Sequence, residues 1–295
     1  MDKKLKELKI RYESIPIPDN LDDVVEMAIK KGKKKKTLPK WIFSTVAAVA
    51  LFTVGLNISP AMAQTLDDIP VINKVAKILT FREYKVKDKT YEADIKVPNI
   101  KGLNDDKLES KLNEKYIEDG KKLYSEFKDT VADLKKNGGG HYGVESGYSV
   151  KLNDEQLVSI GRYVVNTVGS SSTTMKYDTI DKENKVVLSL PMLFKDDAYI
   201  NTISNYIVEQ MKKEMKESNM DKTYWVKGVG GQDEGAFDGS KNIKPNQNFY
   251  INKHHQLVIA FDKYEVAPGY MGLVEFKIPT KIIQKDLVSN QYIKK

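Results

Sequence analysis

The stretch TLPKWIFSTVAAVALFTVGLNISPAMAQTL, residues 37–66, divides this chain of 295 residues into a short N-terminal part and a long C-terminal part. The 18 residues from Trp41 to Ile58 include no charged side chain. As a helix they would rise about 27 Å, close to the roughly 30 Å hydrocarbon core of a bilayer. We therefore predict a transmembrane helix, or an uncleaved signal sequence, over residues 41–60.

Small residues two apart follow the apolar run, in Pro60-Ala61-Met62-Ala63-Gln64. Signal peptidase admits only small side chains at the first and third positions before its cut, so Ala61 and Ala63 fit that pocket. The predicted cut lies before Gln64. Hydropathy alone leaves two interpretations of the stretch open, an anchor or a leader that is removed.

The net charge of +7 is concentrated before the apolar run. Residues 1–40 contain 12 Lys and Arg against 7 Asp and Glu, while the part after residue 63 is close to neutral. Seven of these cations adjoin the run: Lys30, Lys31, Lys33, Lys34, Lys35, Lys36 and Lys40. By the positive-inside rule they predict a single-pass cell-membrane protein with a cytoplasmic N-terminus and an extracellular C-terminal domain. We interpret this basic cluster as an orientation signal rather than a nucleic-acid site.

Two short amphipathic helices are predicted before the lysine cluster, separated by the helix-breaking sequence Ile15-Pro16-Ile17-Pro18. Their apolar stripes are too small to bury each other well, which favours a partner-binding element. The residues predicted to contact that partner are Leu5, Leu8, Tyr12, Leu21, Val24, Val25 and Ile29. A loosely structured membrane-proximal tail is the alternative.

The part after residue 80 shows strand and helix periodicities in the order β, α, β-rich, α, β-rich. Strands are predicted in 81–97 and 148–181, and again in 249–261 and 272–278; long amphipathic helices are predicted in 105–136 and 199–215. This order favours an α+β ectodomain, with antiparallel sheets packed by long helices, over a doubly wound sheet.

Candidate catalytic features are weak. Cysteine is absent, which excludes disulfides, thiolate metal sites and a cysteine nucleophile. His254 and His255 are adjacent and would point to opposite faces of a strand, which argues against a shared metal. The glycine-rich segment 228–235 lacks the strand-to-helix context of a nucleotide fingerprint. We predict no catalytic residue, no metal and no cofactor, and therefore no enzyme.

Three motifs carry a family resemblance: Asp68-Ile69-Pro70-Val71-Ile72, Leu188-Ser189-Leu190-Pro191-Met192-Leu193-Phe194 and, most specifically, Phe261-Asp262-Lys263-Tyr264-Glu265-Val266-Ala267-Pro268-Gly269-Tyr270. Together with the lysine cluster and the apolar span, they make the chain similar to the RsiV family of lysozyme-sensing anti-sigma-V factors. The resemblance implies five regions: a sigma-factor-binding segment 1–40, the membrane helix 41–60, a linker 61–80, a DUF4163-like unit 81–180 and a DUF3298-like unit 181–295.

The resemblance also implies a signalling cycle. The cytoplasmic segment holds an extracytoplasmic-function sigma factor of the sigma-V type while the ectodomain shields the signal peptidase site. Binding of lysozyme outside exposes that site, signal peptidase sheds the ectodomain, and a site-2 intramembrane protease then cuts within the span. The released sigma factor switches on genes for lysozyme resistance.

Two sets of residues are predicted to contact lysozyme. Tyr270 follows Pro268 and Gly269, and an aromatic residue on such a turn is not easily buried in a core; tyrosine is also a favoured interface anchor. The small polar residues Ser171 and Ser172 are predicted to approach the same cleft. A purely structural turn and an ordinary serine-rich loop are the respective alternatives.

The apolar stretch is best interpreted as an anchor with a conditional cut site. A leader cut at once would separate the ectodomain from a patterned cytoplasmic segment of about 40 residues, far longer than the usual charged region of a leader. A plain anchor would have no need of Ala61-Met62-Ala63. An alternative function, from another class, is a membrane-anchored cell-wall or peptidoglycan-binding protein without a sigma partner.

Overall fold

The computed structural model describes residues 75–228, 237 and 243–294. The predicted cytoplasmic helices, membrane span and signal peptidase site lie outside these residues, as does most of the glycine-rich segment 228–235. No helix among the residues described is long and apolar enough to cross a bilayer. All of the described residues belong to one compact unit.

The first half of this unit is built on a mixed β-sheet, the large sheet. Within the described residues its strands lie side by side in chain order. They are β1 (Lys77–Lys87), β2 (Tyr91–Lys101), β3 (Tyr142–Asn153), β4 (Leu157–Val168), β5 (Ser170–Asp181) and β6 (Val186–Leu188). Buried and exposed residues alternate along β2 and much of β5, as a strand with two different faces requires.

Helix α1 (Asp106–Lys136) confirms the predicted long helix to within one residue. Asp105 caps it, because its carboxylate accepts a hydrogen bond of 2.8 Å from the Leu108 backbone N–H. At the other end the Gly139 backbone N–H donates to the Leu134 carbonyl at 2.8 Å. Gly138 and Gly139 have φ of +94° and +92°, a conformation that ends the helix and that glycine adopts without strain.

The predicted antiparallel sheets are confirmed except at one place, where β2 and β3 run parallel. The reason is α1. A tight turn reverses the chain, whereas this helical crossover carries it back along the sheet, so that β3 starts at the same end as β2. The other paired strands of the large sheet are antiparallel, and the α+β class is confirmed.

The first core lies between α1 and one face of the large sheet, mainly the face of β2. Leu112 and Tyr116 pack with Val97 and Ile100, and Phe127 lies in an adjoining cluster. Gly120 lets the helix come close to the sheet, because a Cβ at that position would lie 2.5 Å from Cγ2 of Val97. The backbone of α1 at Gly120 therefore lies directly against the side chain of Val97 on β2.

The second half of the unit contains a second, antiparallel sheet, the small sheet, and a long helix. Its strands are β7 (Phe249–Ile251), β8 (Leu257–Phe261) and β9 (Val274–Ile278); the helices are α2 (Ala198–Glu217) and α3 (Thr280–Ile283). The buried residues of α2, spaced as the sequence predicted, share one core with the strands of the small sheet. The predicted α2 and tail strands are thus confirmed.

A polar and aromatic cluster, the sheet junction, links the two sheets; it consists of Lys151, Tyr177, Tyr250 and Glu275. The rings of Tyr177 and Tyr250 stack with centroids 4.9 Å apart. Their hydroxyls donate to the two carboxylate oxygens of Glu275 at 2.9 and 3.0 Å, and Lys151 Nζ lies 3.7 Å from Glu275 Oε1. Burial, and next the nearby Glu275 carboxylate, raises the pKa of both tyrosines, which keeps them protonated donors.

Candidate functional site

The candidate site is the segment after β8, residues 262–272, which we call the β8–β9 turn. Val266 and Ala267 in its middle are buried, and the Val266 carbonyl accepts a hydrogen bond of 2.9 Å from the Trp225 backbone N–H. The Glu265 carboxylate accepts one of 2.8 Å from the Asp262 N–H. A buried middle therefore holds two exposed ends in place.

The first end of the turn docks on the edge of β5. The Asp262 carboxylate accepts a hydrogen bond of 2.7 Å from the Met175 N–H, and the Lys263 N–H donates to the Thr173 carbonyl at 3.2 Å. Lys263 Nζ donates to the backbone carbonyl and the hydroxyl of Ser171, at 2.5 and 3.1 Å. Burial raises the pKa of Asp262, and the Met175 N–H only partly offsets this. The turn and the start of β5 thus form one surface.

The second end of the turn is shaped by glycines. Gly269 lies directly under the ring of Tyr264, where a Cβ would collide with the ring. Pro268 precedes a short 3₁₀ turn, Gly269–Met271, and Gly272 leaves it with φ of +66°. These contacts fix the backbone on both sides of Tyr270.

Tyr270 is exposed but held. Its side chain is 67% exposed, yet its hydroxyl donates a hydrogen bond of 3.1 Å to the Asp221 carbonyl just after α2. The end of α2 is itself fixed, since Glu214 accepts hydrogen bonds from Lys222 Nζ at 2.8 Å and the Tyr224 hydroxyl at 2.6 Å. Burial alone would raise the pKa of Glu214, but these two donors outweigh it and lower the pKa. Tyr270 therefore projects a preoriented ring into solvent.

The predicted lysozyme contacts fall on this surface and its edge. Pro268 and Tyr270 lie on the β8–β9 turn, and Ser171 is joined to the turn through Lys263. Ser172 is exposed on β5 and points to the opposite face from Ser171, as neighbours on a strand do. Contrary to the loop alternative, both serines lie in a strand, whose register with β4 continues to Ser170.

Sequence reasoning missed the residues that build the surface. Asp262 and Lys263 lie within the quoted motif, but only the packing of the two sheets brings them to the edge of β5. Tyr264 adopts φ of +72°, rare for a tyrosine. The contact between Tyr264 and Gly269 could not be predicted either, because the spacing Tyr-x-x-x-x-Gly is not typical of any particular turn.

The predicted strand position of the two neighbouring histidines is wrong, because both lie in the turn between β7 and β8. His255 Nε2 lies 3.0 Å from Asp154 Oδ2, and Nδ1 lies 3.2 Å from the Tyr292 carbonyl oxygen. The turn places His255 where it contacts the β3–β4 turn and the C-terminal segment.

Among the residues described, no cluster of three or more His, Cys, Asp or Glu side chains is arranged to hold a metal ion.

Two family models match the described region. A model described as "Protein of unknown function (DUF3298)" matches residues 192–281, which include α2, the small sheet and the β8–β9 turn. A model described as "Deacetylase PdaC" matches residues 84–166, most of the large sheet with α1. The chain thus carries a PdaC-like unit followed by a DUF3298 unit, the second of which contains the candidate site.

Whole-chain comparison identifies the family. The anti-sigma-V factor RsiV of Bacillus subtilis (strain 168) is 44% identical over 295 residues, which are 100% of both chains. This chain therefore belongs to the RsiV family of anti-sigma-V factors. That relative is an anti-sigma factor and not an enzyme, and an anti-sigma factor has a sigma factor as its partner.

Two more distant relatives bear on the fold and the first unit. The peptidoglycan-N-acetylmuramic acid deacetylase PdaC of the same organism is 24% identical over 266 residues, which are 87% of this chain but only 52% of that enzyme. A crystal structure of a DUF3298 family member from Bacteroides fragilis NCTC 9343 superposes with a TM-score of 0.52 at 18% identity, covering 74% of this chain and 96% of the other. The latter similarity supports the α+β fold alone.

Proposed function

We propose that the chain is a membrane-anchored anti-sigma factor that senses lysozyme outside the cell. In this proposal residues 1–40 hold an extracytoplasmic-function sigma factor of the sigma-V type, and residues 41–60 cross the membrane. The observation that carries the proposal is the identity of 44% with an anti-sigma-V factor over the whole chain, the N-terminal segment included. A likeness confined to the ectodomain would not support a cytoplasmic partner.

Lysozyme is proposed to bind the β8–β9 turn through Pro268 and Tyr270, with Ser171 and Ser172 at the edge. A large aromatic side chain that is exposed yet fixed by a hydrogen bond loses little conformational entropy on binding, which favours an interface anchor. The region after residue 63 carries almost no net charge, so it exerts little general attraction on a basic protein such as lysozyme. Recognition then depends on local shape and a few carboxylates.

The proposed cut before Gln64 lies close to the folded unit. Ala76 is held by the Asn153 side chain, which accepts from the Ala76 N–H at 3.1 Å and donates to its carbonyl at 2.8 Å. The 12 residue-to-residue steps from Gln64 to Ala76 span at most about 43 Å when the chain is fully extended. This short tether supports a cut site that the ectodomain shields. In the proposal, lysozyme binding opens the site to signal peptidase, and site-2 proteolysis follows that first cut.

The experiment that tests the sigma partner is recovery of proteins bound to the full-length, detergent-solubilised chain from its own host. We expect a sigma-V-type factor to copurify. Val25→Ser, in the predicted apolar stripe, should reduce its recovery by about tenfold, as loss of a buried valine implies. Glu26→Ser, next to it on the polar side, is the matched control. Absence of any sigma factor from the unmodified chain would contradict the proposal.

A second candidate function is a membrane-anchored wall-binding protein without a sigma partner. The match of residues 84–166 to the PdaC model favours it, since the relative with that name acts on peptidoglycan N-acetylmuramic acid. The two functions make different demands on residues 1–40, because wall binding alone needs no partner in the cytoplasm. The copurification experiment therefore decides between them.

A further inference from the structure

A groove runs along α1 on the side away from β1. The helix covers β2 and, through one shared core, Val158 and Ile160 of β4. A groove of about 300 Å³ remains between the helix and the parts of β3, β4 and β5 that lie beyond this core. That volume is at the lower end of the range for small-molecule sites. Its polar lining comes from the helix and from the strands and includes Asp119, Lys122, Ser146, Arg162, Thr174 and Lys176.

The base of the groove is a fixed ionic network around Arg162. Its Nη1 donates to Asp119 Oδ2 at 2.8 Å and its Nη2 lies 3.5 Å from Asp178 Oδ2. The guanidinium carbon lies 4.2 Å from the centre of the Tyr116 ring, and the Tyr116 hydroxyl donates to Asp178 at 3.0 Å. Lys115 completes the network with Asp178 at 3.1 Å. Two cations and two carboxylates thus balance, and the base is rigid.

Above this base, hydrogen-bond donors and positive charge are in excess. Lys176 is exposed and makes no ion pair with any residue that the structure describes. Lys122 has only the exposed Glu126, at 3.8 Å. Ser146 and Thr174 line the groove with hydroxyls that bond to no other described side chain or backbone group. The groove therefore offers two hydroxyls and the ammonium group of Lys176 that bond to no acceptor among the described residues.

The lining also has apolar side chains, Val97, Leu123 and Val164, beside its polar groups, which further include the carboxylate of Glu126 and the amide of Asn166. A bare phosphate would leave the apolar side chains without a contact. A sugar ring fits both parts, because its faces are apolar C–H surfaces while its edges carry hydroxyls. An acidic substituent on that ring would in addition match the unpaired ammonium of Lys176.

We propose that this groove binds an acidic saccharide, a sugar ring that carries a carboxylate. Lys176 pairs with the carboxylate, Ser146 and Thr174 bond to ring substituents, and the ring lies on the apolar side chains. The inference deepens the second candidate function and needs none of the residues proposed for lysozyme. The two experiments can fail independently: loss of sigma-factor recovery would contradict the anti-sigma proposal, and absence of saccharide binding would contradict only the proposed groove.

The test is calorimetric titration of the full-length, detergent-solubilised chain with N-acetylmuramic acid. N-acetylglucosamine supplies the same ring without the carboxylate, lactate supplies the carboxylate without the ring, and inorganic phosphate supplies an anion alone. We expect N-acetylmuramic acid to bind at least tenfold more tightly than each of the other three. Equal binding of N-acetylglucosamine, lactate or phosphate, or no binding of N-acetylmuramic acid, would overturn the proposal.

Lys176→Gln tests the site itself, since its side chain is exposed and its loss should leave the fold intact. We expect about tenfold weaker binding of N-acetylmuramic acid, as for loss of one charge-assisted contact. Lys253→Gln, the same change at an exposed lysine of the β7–β8 turn, should bind as the unmodified chain does. Equal affinity of the two variants would place the saccharide elsewhere and refute the proposed groove.

Discussion

At the scale of single residues, Tyr270 combines exposure with fixation. Tyr270→Ala removes a preoriented aromatic ring, and we expect lysozyme affinity to fall by about thirtyfold or more, the loss typical of an interface anchor. Tyr270→Phe keeps the ring but loses the bond to Asp221, so its loss should be smaller. Val288→Ala, at another exposed apolar residue, is the control. Surface plasmon resonance measures these affinities. If Tyr270→Ala binds lysozyme as tightly as the unmodified chain does, Tyr270 is not part of the interface.

Ala63 belongs to the same scale, because in the proposed cut site its small side chain is what lets signal peptidase accept the bond before Gln64. Ala63→Leu places a bulky side chain in a pocket that admits only small ones. We expect this variant to remain full-length in membranes after addition of lysozyme, whereas the unmodified chain sheds its ectodomain. Met62→Leu, between the two critical positions, should be cut normally. On immunoblots, an ectodomain fragment of unchanged size from Ala63→Leu would contradict the assigned position.

At the scale of elements, Gly120 sets the distance between α1 and β2. Gly→Ala within a helix usually stabilises it by about 1 kcal/mol. Here the added Cβ would lie 2.5 Å from Val97, so we expect Gly120→Ala to destabilise the protein by roughly 1–3 kcal/mol through overpacking. Ser125→Ala, on the exposed face of the same helix, should be neutral or stabilising. Urea unfolding followed by fluorescence measures both, and a stabilised Gly120→Ala would disprove the close contact.

The turn from β5 to β6 makes stability depend on pH. Burial raises the pKa of the Asp181 carboxyl, but hydrogen bonds from the Asn184 N–H, the Tyr292 hydroxyl at 2.7 Å and the Glu183 N–H outweigh it and lower the pKa. A lowered pKa contributes stability that is present above the unfolded-state value, about 4, and is lost as pH falls through the folded value.

Asp181→Asn should therefore lower the urea midpoint at pH 7, and its difference from the unmodified chain should shrink as the pH falls below about 4. Asp129→Asn, at an exposed position of α1, serves as the control and should leave the profile unchanged. A constant difference between Asp181→Asn and the unmodified chain at all pH values would show that the carboxylate is not the titrating group.

At the scale of the whole molecule, the sheet junction couples the two sheets through one carboxylate. Tyr177→Phe and Tyr250→Phe each remove one donor from Glu275, and each should lower the free energy of unfolding by about 1 kcal/mol. Since both hydroxyls bind the same carboxylate, the double variant should deviate from additivity by about 0.5 kcal/mol or more. Tyr148→Phe is the control, because among the described residues the Tyr148 hydroxyl is hydrogen-bonded only to the exposed Thr80. Strict additivity would mean that the junction does not act as a unit.

Much of the fold could be predicted because its signals are local. The capping carboxylate of Asp105, the apolar spacing along α1 and α2, and the three glycines after Lys136 act within one or two turns of the chain. The parallel pairing of β2 and β3 was missed, since strand direction depends on how a helix packs. The adjacent histidines were misplaced because a strand and a tight turn differ little in composition.

The sequence by itself determined the α+β order, the ends of the long helix and, through full-length similarity, the family. For residues 1–74, the membrane span and the cut site remain predictions from the sequence pattern. Only the tertiary structure joined Ser171 to Lys263, stacked Tyr177 on Tyr250 and opened the groove beside α1. The first two of these contacts join residues that are 92 and 73 positions apart in the chain. Periodicity reports which face of an element is apolar, whereas the packing of two sheets and a helix decides which faces meet.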